Sequence, residues 1–347
     1  MKKNDSCHTF SEEKLIPTFH ERKHYKLHIK CLLFYLSEGL ILKKIHRIVS
    51  FKEKPFLKEY ILSLTKLRSI AAAKNLTFFV NVFKLLANST YGKFCQNPMN
   101  FTHAKLCLNK QHFKKCINSK RFLHASIINE SIAIVEYKPE AVLYNSPFPI
   151  AATILDLAKL HLYNYFYNIL KPTFEPDKVN LIMTDTDSII FSVNTQNFFE
   201  KYKRLPLFDF SNFKKESSLY SNQNQKALLF FKDENPNDFI KEFIGLRSKL
   251  YVIKTVTNQE DKKAKGYNKK FKDTLLSYEK YKKCHEDLDL YRSPLLTIRG
   301  IDHQLYTVLQ NKVVLNNFDN KMYICNCNIH TYFYGSNDLK STCNKCN

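Results

Sequence analysis

Met183-Thr184-Asp185-Thr186-Asp187-Ser188 stands between two apolar runs, Val179 to Met183 and Ile189 to Val193. Two short β-rich runs joined at an Asp-Thr-Asp tip predict an antiparallel strand pair. Such a turn lifts two carboxylates out of a buried sheet to face a ligand. Paired carboxylates on a rigid turn suit Mg²⁺ together with phosphate oxygens. Taken alone, the six residues read more readily as a turn with solvated acids; the remainder of the chain argues for the ligand.

Upstream lies Lys84-Leu85-Leu86-Ala87-Asn88-Ser89-Thr90-Tyr91-Gly92-Lys93. Helical spacing puts Lys84, Asn88 and Tyr91 on one face, because i, i+4 and i+7 stack along a helix. Phe79, Val82 and Leu86 then form an opposite, apolar face expected to pack inward. A lysine meets a triphosphate as a point charge, and a tyrosine stacks on a base or a sugar. A wet-side lysine is ordinary on an amphipathic helix; beside the Asp-Thr-Asp turn it gains meaning.

These two segments resemble the Lys-x-x-x-Asn-Ser-x-Tyr-Gly and Asp-Thr-Asp-Ser motifs of family B DNA polymerases, above all the protein-primed branch of some phages, viruses and Maverick-type mobile elements. Further segments agree in order. Gly39 to Arg47 looks like the entry to the fingers, and Lys66 and Arg68 fall where the family places a second phosphate-binding cation. Gly245-Leu246-Arg247-Ser248-Lys249-Leu250-Tyr251 is similar to the Lys-x-Tyr motif that grips the primer terminus. Phe231-Lys232-Asp233-Glu234, Asp319 to Ile324 and Tyr334-Gly335 resemble later signatures.

The resemblance implies an α+β fold of right-hand polymerase architecture: helical fingers, an antiparallel-sheet palm that is incomplete, and a small thumb. It divides the chain into an N-terminal tail (1–15), fingers (16–92), an insertion-like segment (93–146), the remainder of the palm (147–266), and a thumb with a Cys-containing tail (267–347). It implies DNA-directed DNA polymerase activity by a two-metal mechanism, in replication of a virus or mobile element. Asp187, assisted by Asp185, would bind Mg²⁺. Lys84 would neutralise the incoming dNTP, with Lys66 or Arg68 helping, and Asn88 and Tyr91 would shape the base-pair pocket. Lys249 and Tyr251 would hold the primer end of primer-template DNA, and Lys265 would follow its backbone. A terminal priming protein is the further partner implied.

One family motif is missing. The string Asp-x-x-Ser-Leu-Tyr-Pro, whose aspartate is the other main metal ligand, does not occur; Ser218-Leu219-Tyr220 is a faint echo without the Asp. The proofreading exonuclease region is not recognisable either. The chain therefore reads as the C-terminal part of a polymerase that needs an upstream segment. Losing a positioned ligand removes roughly 10³-fold or more in rate. Met183 also stands where the family usually has Tyr, and methionine cannot donate a hydrogen bond. The alternatives are a catalytically inactive relic that only binds DNA, and a structural zinc-bearing nucleic-acid module.

Composition agrees with a phosphate-bearing partner. The formal net charge is +22 and the pI about 9.4, a balance that suits nucleic acid. Between Lys241 and Lys283 there are thirteen Lys or Arg against five acids. Lys262-Lys263-Ala264-Lys265-Gly266, within that block, would lie along a duplex backbone, giving binding that falls with salt. Of only six glycines, five (Gly39, Gly92, Gly245, Gly266, Gly335) fall in the segments already named.

A coarse pass predicts a helix over 21–37, an extended segment over 40–51, and an antiparallel helix pair from Pro55 to Ala71 and Lys74 to Thr90. A long helix is expected from Pro149 to Leu170, and loop-rich chain over 194–240. No apolar run suffices for a membrane span, and Met1 to Asp5 lack the core of a secretory signal. Ten cysteines suggest reduced thiols in an intracellular setting. In the tail, Cys325, Cys327, Cys343 and Cys346 offer four thiolates to Zn²⁺, although the Cys-x-Cys half is an unusual form of such a site.

Overall fold

The computed structural model describes residues 15–336 except 142, 144–146, 237, 302–303, 320 and 326–329. The chain forms two units. One comprises residues 26–236 with 300–306; the other combines the N-terminal stretch up to 25 with 237–299 and 307 onward.

The first unit opens with α1 (Ile29–Ser37), which begins later than the predicted 21. His28 caps it: its backbone N–H donates to Asp156 Oδ2 at 3.1 Å, and its ring nitrogen accepts from the Lys30 N–H. Residues 39–55 carry no regular structure and are exposed. The predicted helix pair follows as α2 (Lys58–Ala73) and α3 (Thr77–Phe94). Its packing differs from expectation. No residue of α3 is buried, and Phe79 and Leu86, expected to face inward, remain 47% and 42% exposed. The period of 3.6 fixes which residues share a face, not whether anything covers it.

Next comes a small antiparallel sheet, β1 (His103–Cys107), β2 (Phe122–Asn129) and β3 (Ile132–Tyr137), with α4 (Lys110–Ile117) between β1 and β2. The strand order is β1-β3-β2. The predicted long helix is α5 (Phe148–Asn164), continued by wider π-helical turns over Tyr165–Leu170 and by α6 (Lys171–Phe174). It delivers Tyr165, Phe166, Leu170 and Phe174 into a largely aromatic core. The hairpin of β4 (Val179–Asp185) and β5 (Ser188–Val193) lies on that core, into which Val179, Ile189, Phe191 and Val193 pack. The core is closed by α7 (Phe198–Lys203) and the short parallel pair β6 (Phe208–Asp209) and β7 (Phe231–Lys232).

In the second unit, β8 (Ile240–Arg247), β9 (Leu250–Thr255) and β10 (Glu260–Ala264) form a sheet with β9 in the centre. Nearly all of β9 is buried, as a central strand covered on both faces requires. The helices α8 (Lys269–Leu275) and α9 (Tyr278–Glu286) follow, with Tyr278, Tyr281 and Cys284 of α9 in the core beside Val252. A two-stranded ribbon, β11 (Tyr291–Ile301) and β12 (Gln304–Leu315), and the short pair β13 (Tyr323–Ile324) and β14 (Thr331–Tyr332) complete the chain. The N-terminal stretch joins this unit: Phe19 N–H and the Thr18 hydroxyl both donate to Tyr334 O, at 2.8 and 3.0 Å. Gly335 sits there at φ +81, where a Cβ would come within 2.9 Å of the His20 ring; only glycine fits both the backbone angle and the space. The observed fold is mixed α and β, with helices and several small sheets.

Candidate functional site

The Asp-Thr-Asp turn is a two-residue hairpin. Asp185 pairs with Ser188 across it, and the Asp187 N–H donates to Asp185 O at 2.7 Å. Thr186 holds φ +61, a left-handed conformation that a β-branched residue rarely adopts and that costs about 1–3 kcal/mol. Its hydroxyl donates to Asp185 Oδ1 at 3.3 Å, and the Ser188 hydroxyl donates to Asp185 O at 3.2 Å. The turn is thereby cross-braced, with Asp185 half-buried and Asp187 exposed.

One expectation is corrected. The hairpin is a two-stranded sheet on its own rather than part of a buried one. One side rests on the aromatic core, while Leu181 and Ile182 of β4 are exposed. The register shifts between Leu181 and Met183, so a bulge re-aims the strand just before the acids.

The carboxylate pair supplies hard oxygen donors of the kind Mg²⁺ takes, an ion content with one or two carboxylates plus waters and phosphates. Among the described residues, the Cys/His/Asp/Glu groups close enough to share an ion do not include a third carboxylate beside Asp185 and Asp187. The pair fits one ion and falls short of a two-ion clamp.

On α3, Lys84 and Asn88 are exposed and Tyr91 is half-buried. The Cys95 thiol one turn on, followed by burial, raises the Tyr91 pKa above the ordinary tyrosine value. The aromatic ring stays uncharged. On the neighbouring α2, Lys66 is exposed, whereas Arg68 is half-buried and its Nε has no hydrogen-bond partner among the described residues. A buried donor without an acceptor is costly. An open groove of about 730 Å³ runs between these helices, lined by Leu57 and Tyr60 and by Ser89, Gly92, Lys93 and Gln96. Ser89 and Lys93, one turn apart on α3, lie off the face of Lys84, Asn88 and Tyr91, and Gln96 follows the helix end. Lys93 was missed as a candidate because it lies off the face chosen for Lys84; the groove exposes it.

Lys249 and Lys265 belong to the other unit. Lys249 is at the β8–β9 tip with φ +59, and its carbonyl accepts from the Lys265 N–H at 3.1 Å, so two exposed candidate DNA contacts are neighbours. Tyr251, by contrast, is buried and packs on Phe243 with ring centroids 5.7 Å apart. Lys262, expected along a duplex, is turned inward: its side chain is 11% exposed, and Nζ donates to Leu276 O at 2.8 Å and pairs with Glu260. It satisfies carbonyls at the end of α8, a usual duty for lysine. Lys263 pairs with Asp261 at 3.1 Å. In the tail, Cys325 is a buried free thiol; Cys327, Cys343 and Cys346 lie outside the described residues.

Phe231-Lys232-Asp233-Glu234 has a structural setting. Lys232 Nζ pairs with buried Asp209 at 3.2 Å. Asp233 accepts from Tyr202 OH at 2.7 Å, and burial followed by the Asp233 charge pushes that hydroxyl well up.

Comparison with known protein families matches residues 32–172 to DNA polymerase type B, organellar and viral. That stretch is similar to type B polymerases. It carries Lys66, Arg68, Lys84, Asn88 and Tyr91, and it stops before the Asp185–Asp187 turn, so the acidic hairpin is read from sequence and geometry. No curated protein and no solved structure matches the chain. No helix among the described residues is long and apolar enough to cross a membrane.

Proposed function

We propose that this chain is the fingers-to-thumb part of a DNA-directed DNA polymerase of the protein-primed type. The family match over the segment that bears Lys84, Asn88 and Tyr91 carries the reading, and the braced Asp185–Asp187 turn supports it. Asp187 and Asp185 would hold Mg²⁺, which as a Lewis acid stabilises the attacking and leaving oxygens of nucleotidyl transfer. Lys84 sets a cation against the triphosphate, with Lys66 or Arg68 helping. Tyr91 presents an uncharged ring and Asn88 an amide to the nascent base pair. Lys249 and Lys265 grip backbone phosphates, positioning the duplex without reading it. Full turnover requires a further carboxylate from outside the described residues, with a priming protein as partner.

Binding of the full chain to a fluorescent primer-template duplex in Mg²⁺, with and without the dNTP matching the next template base, tests this. The matched dNTP, and not a mismatched one, should tighten the complex, and Lys84→Ala should abolish the tightening. A second reading, an inactive relic that only binds DNA, is favoured by the lone carboxylate pair. Salt-sensitive binding indifferent to every dNTP would establish the relic.

A further inference from the structure

The segment from His103 to Tyr137 is held by very little apolar material. β1, α4, β2 and β3 pack chiefly on one another. Their buried cluster is Cys107, Cys116, Ala133 and Val135, with Phe113, Ile117, Ala125 and Tyr137 against it. Units shorter than about 40 residues usually need a disulfide, a metal or a partner to stay folded. Half of this buried cluster is cysteine, and both thiols are free.

The local geometry converges on those thiols. Cys107 ends β1, and the Asn109 side chain caps α4 by accepting from the His112 N–H at 2.8 Å. The cap fixes the first turn, so His112 and Cys116, four residues apart, share the face of α4 above Cys107. The Sγ atoms of Cys107 and Cys116 and a ring nitrogen of His112 all lie within 4.8 Å of one another. Tyr137, from β3, packs against this cluster.

We infer that Cys107, His112 and Cys116 form a zinc site that staples β1 to α4 beneath the β1-β3-β2 sheet. Two thiolates and an imidazole are a soft donor set that selects Zn²⁺ over the Mg²⁺ of the acidic turn. Tetrahedral Zn²⁺ with bonds of about 2.0–2.3 Å holds its donors about 3.5–4 Å apart, so the three need to close by about an ångström at most. The fourth position is left to water. Tyr137, packed against the cluster, lies among the groups that surround the site. This site is separate from the tail cysteines and independent of whether the polymerase reading holds.

The test uses the full chain with Cys325, Cys327, Cys343 and Cys346 replaced by Ser, purified with reductant. One equivalent of zinc per chain is expected by elemental analysis. Exchange for Co²⁺ should give thiolate-to-metal charge transfer and the visible bands of a tetrahedral ion. Cys107→Ser and His112→Ala should each weaken zinc by more than the roughly 10–100-fold that losing an outer-shell partner costs. Should Cys107→Ser fail to fold, His112→Ala decides, since it leaves the capped backbone and the apolar cluster intact. Zinc-free, folded tail-substituted protein overturns the inference, as does zinc retained at full strength in His112→Ala. Recovery of Cys107 and Cys116 as a disulfide in freshly alkylated chain overturns it as well.

Discussion

Two hairpins in this chain solve the same problem with opposite charges. The β4–β5 turn presents Asp185 and Asp187, and the β8–β9 turn presents Lys249. Each tip contains a non-glycine residue at positive φ, Thr186 at +61 and Lys249 at +59, and each has a register shift close behind it. Their supports differ. The acidic hairpin is two-stranded and leans on an aromatic cluster from Phe174 to Phe231. The basic hairpin is fastened by a third strand, and its β9 is buried almost throughout. A tip can be held by what lies under it or by what is paired beside it, and the two modes fail differently under mutation.

The largest effect should come from removing the ground beneath the acidic tip. Phe174 is wholly buried and stacks on Phe198, with centroids 5.4 Å apart. Phe174→Ala should cost about 3–5 kcal/mol, seen as a lower urea midpoint for the unit holding residues 26–236. An unchanged midpoint would mean that the hairpin does not depend on this core.

Next in size is Asp209. Burial raises its carboxyl pKa, but donors from Ser211, Lys226 and Lys232 outweigh burial and leave it below the ordinary carboxylate value. A carboxyl depressed on folding contributes stability above its unfolded pKa, and that contribution is lost as pH falls through the folded value. Stability should therefore drop below about pH 4, and Asp209→Asn should flatten that drop. Removing one member of the pair costs about 3 kcal/mol at neutral pH, the low end for a buried pair because Lys232 is a third exposed. A wild-type and variant pair with parallel acid curves would refute the assignment.

The tips themselves sharpen the comparison. Thr186→Gly should raise stability by about 1 kcal/mol, because relief of a strained β-branched residue exceeds glycine's entropic cost. Lys249→Gly should gain less, since an unbranched side chain tolerates φ > 0 better. Thermal melts of the two variants rank them directly, and a reversed order would show that Thr186 is not strained.

The smallest effect concerns DNA. Lys249→Ala should leave the melting curve nearly unaltered and lower the slope of log affinity against log salt by about one. Lys262→Ala should instead hurt stability and spare the salt slope, because its Nζ serves the end of α8. A salt slope that moves for Lys262 and not Lys249 would reverse the two roles.

Much of this was legible in the chain. The hairpin at 179–193 follows from alternation around a turn-forming triplet, and the α2–α3 pair from helical periodicity, because both signals are local. What local signals omit is the partner. Phe79 and Leu86 share a face as predicted, yet nothing in the helix says whether that face meets a neighbour. Lys262 reads as one more cation in a basic block until the fold sets helix-end carbonyls over it. Tyr251 lies in a segment similar to a primer-gripping motif and is also a central-strand residue that the fold buries. Cys107, His112 and Cys116 carry no recognisable spacing in the sequence, and only the fold of β1 back over α4 makes them one cluster.

The bond between Phe19 and Tyr334 has a consequence for synthesis. Residues 18 and 19 leave the ribosome well ahead of their hydrogen-bonding partner Tyr334, which lies 316 positions beyond Thr18. At about 5–20 residues per second, residues 18–20 wait some tens of seconds with a vacant place opposite them. The other unit, nearly continuous from 26 to 236, has the opportunity to fold during that interval. A translation product stalled before Tyr334 would hold the acidic hairpin while leaving residues 18 and 19 unpaired with it.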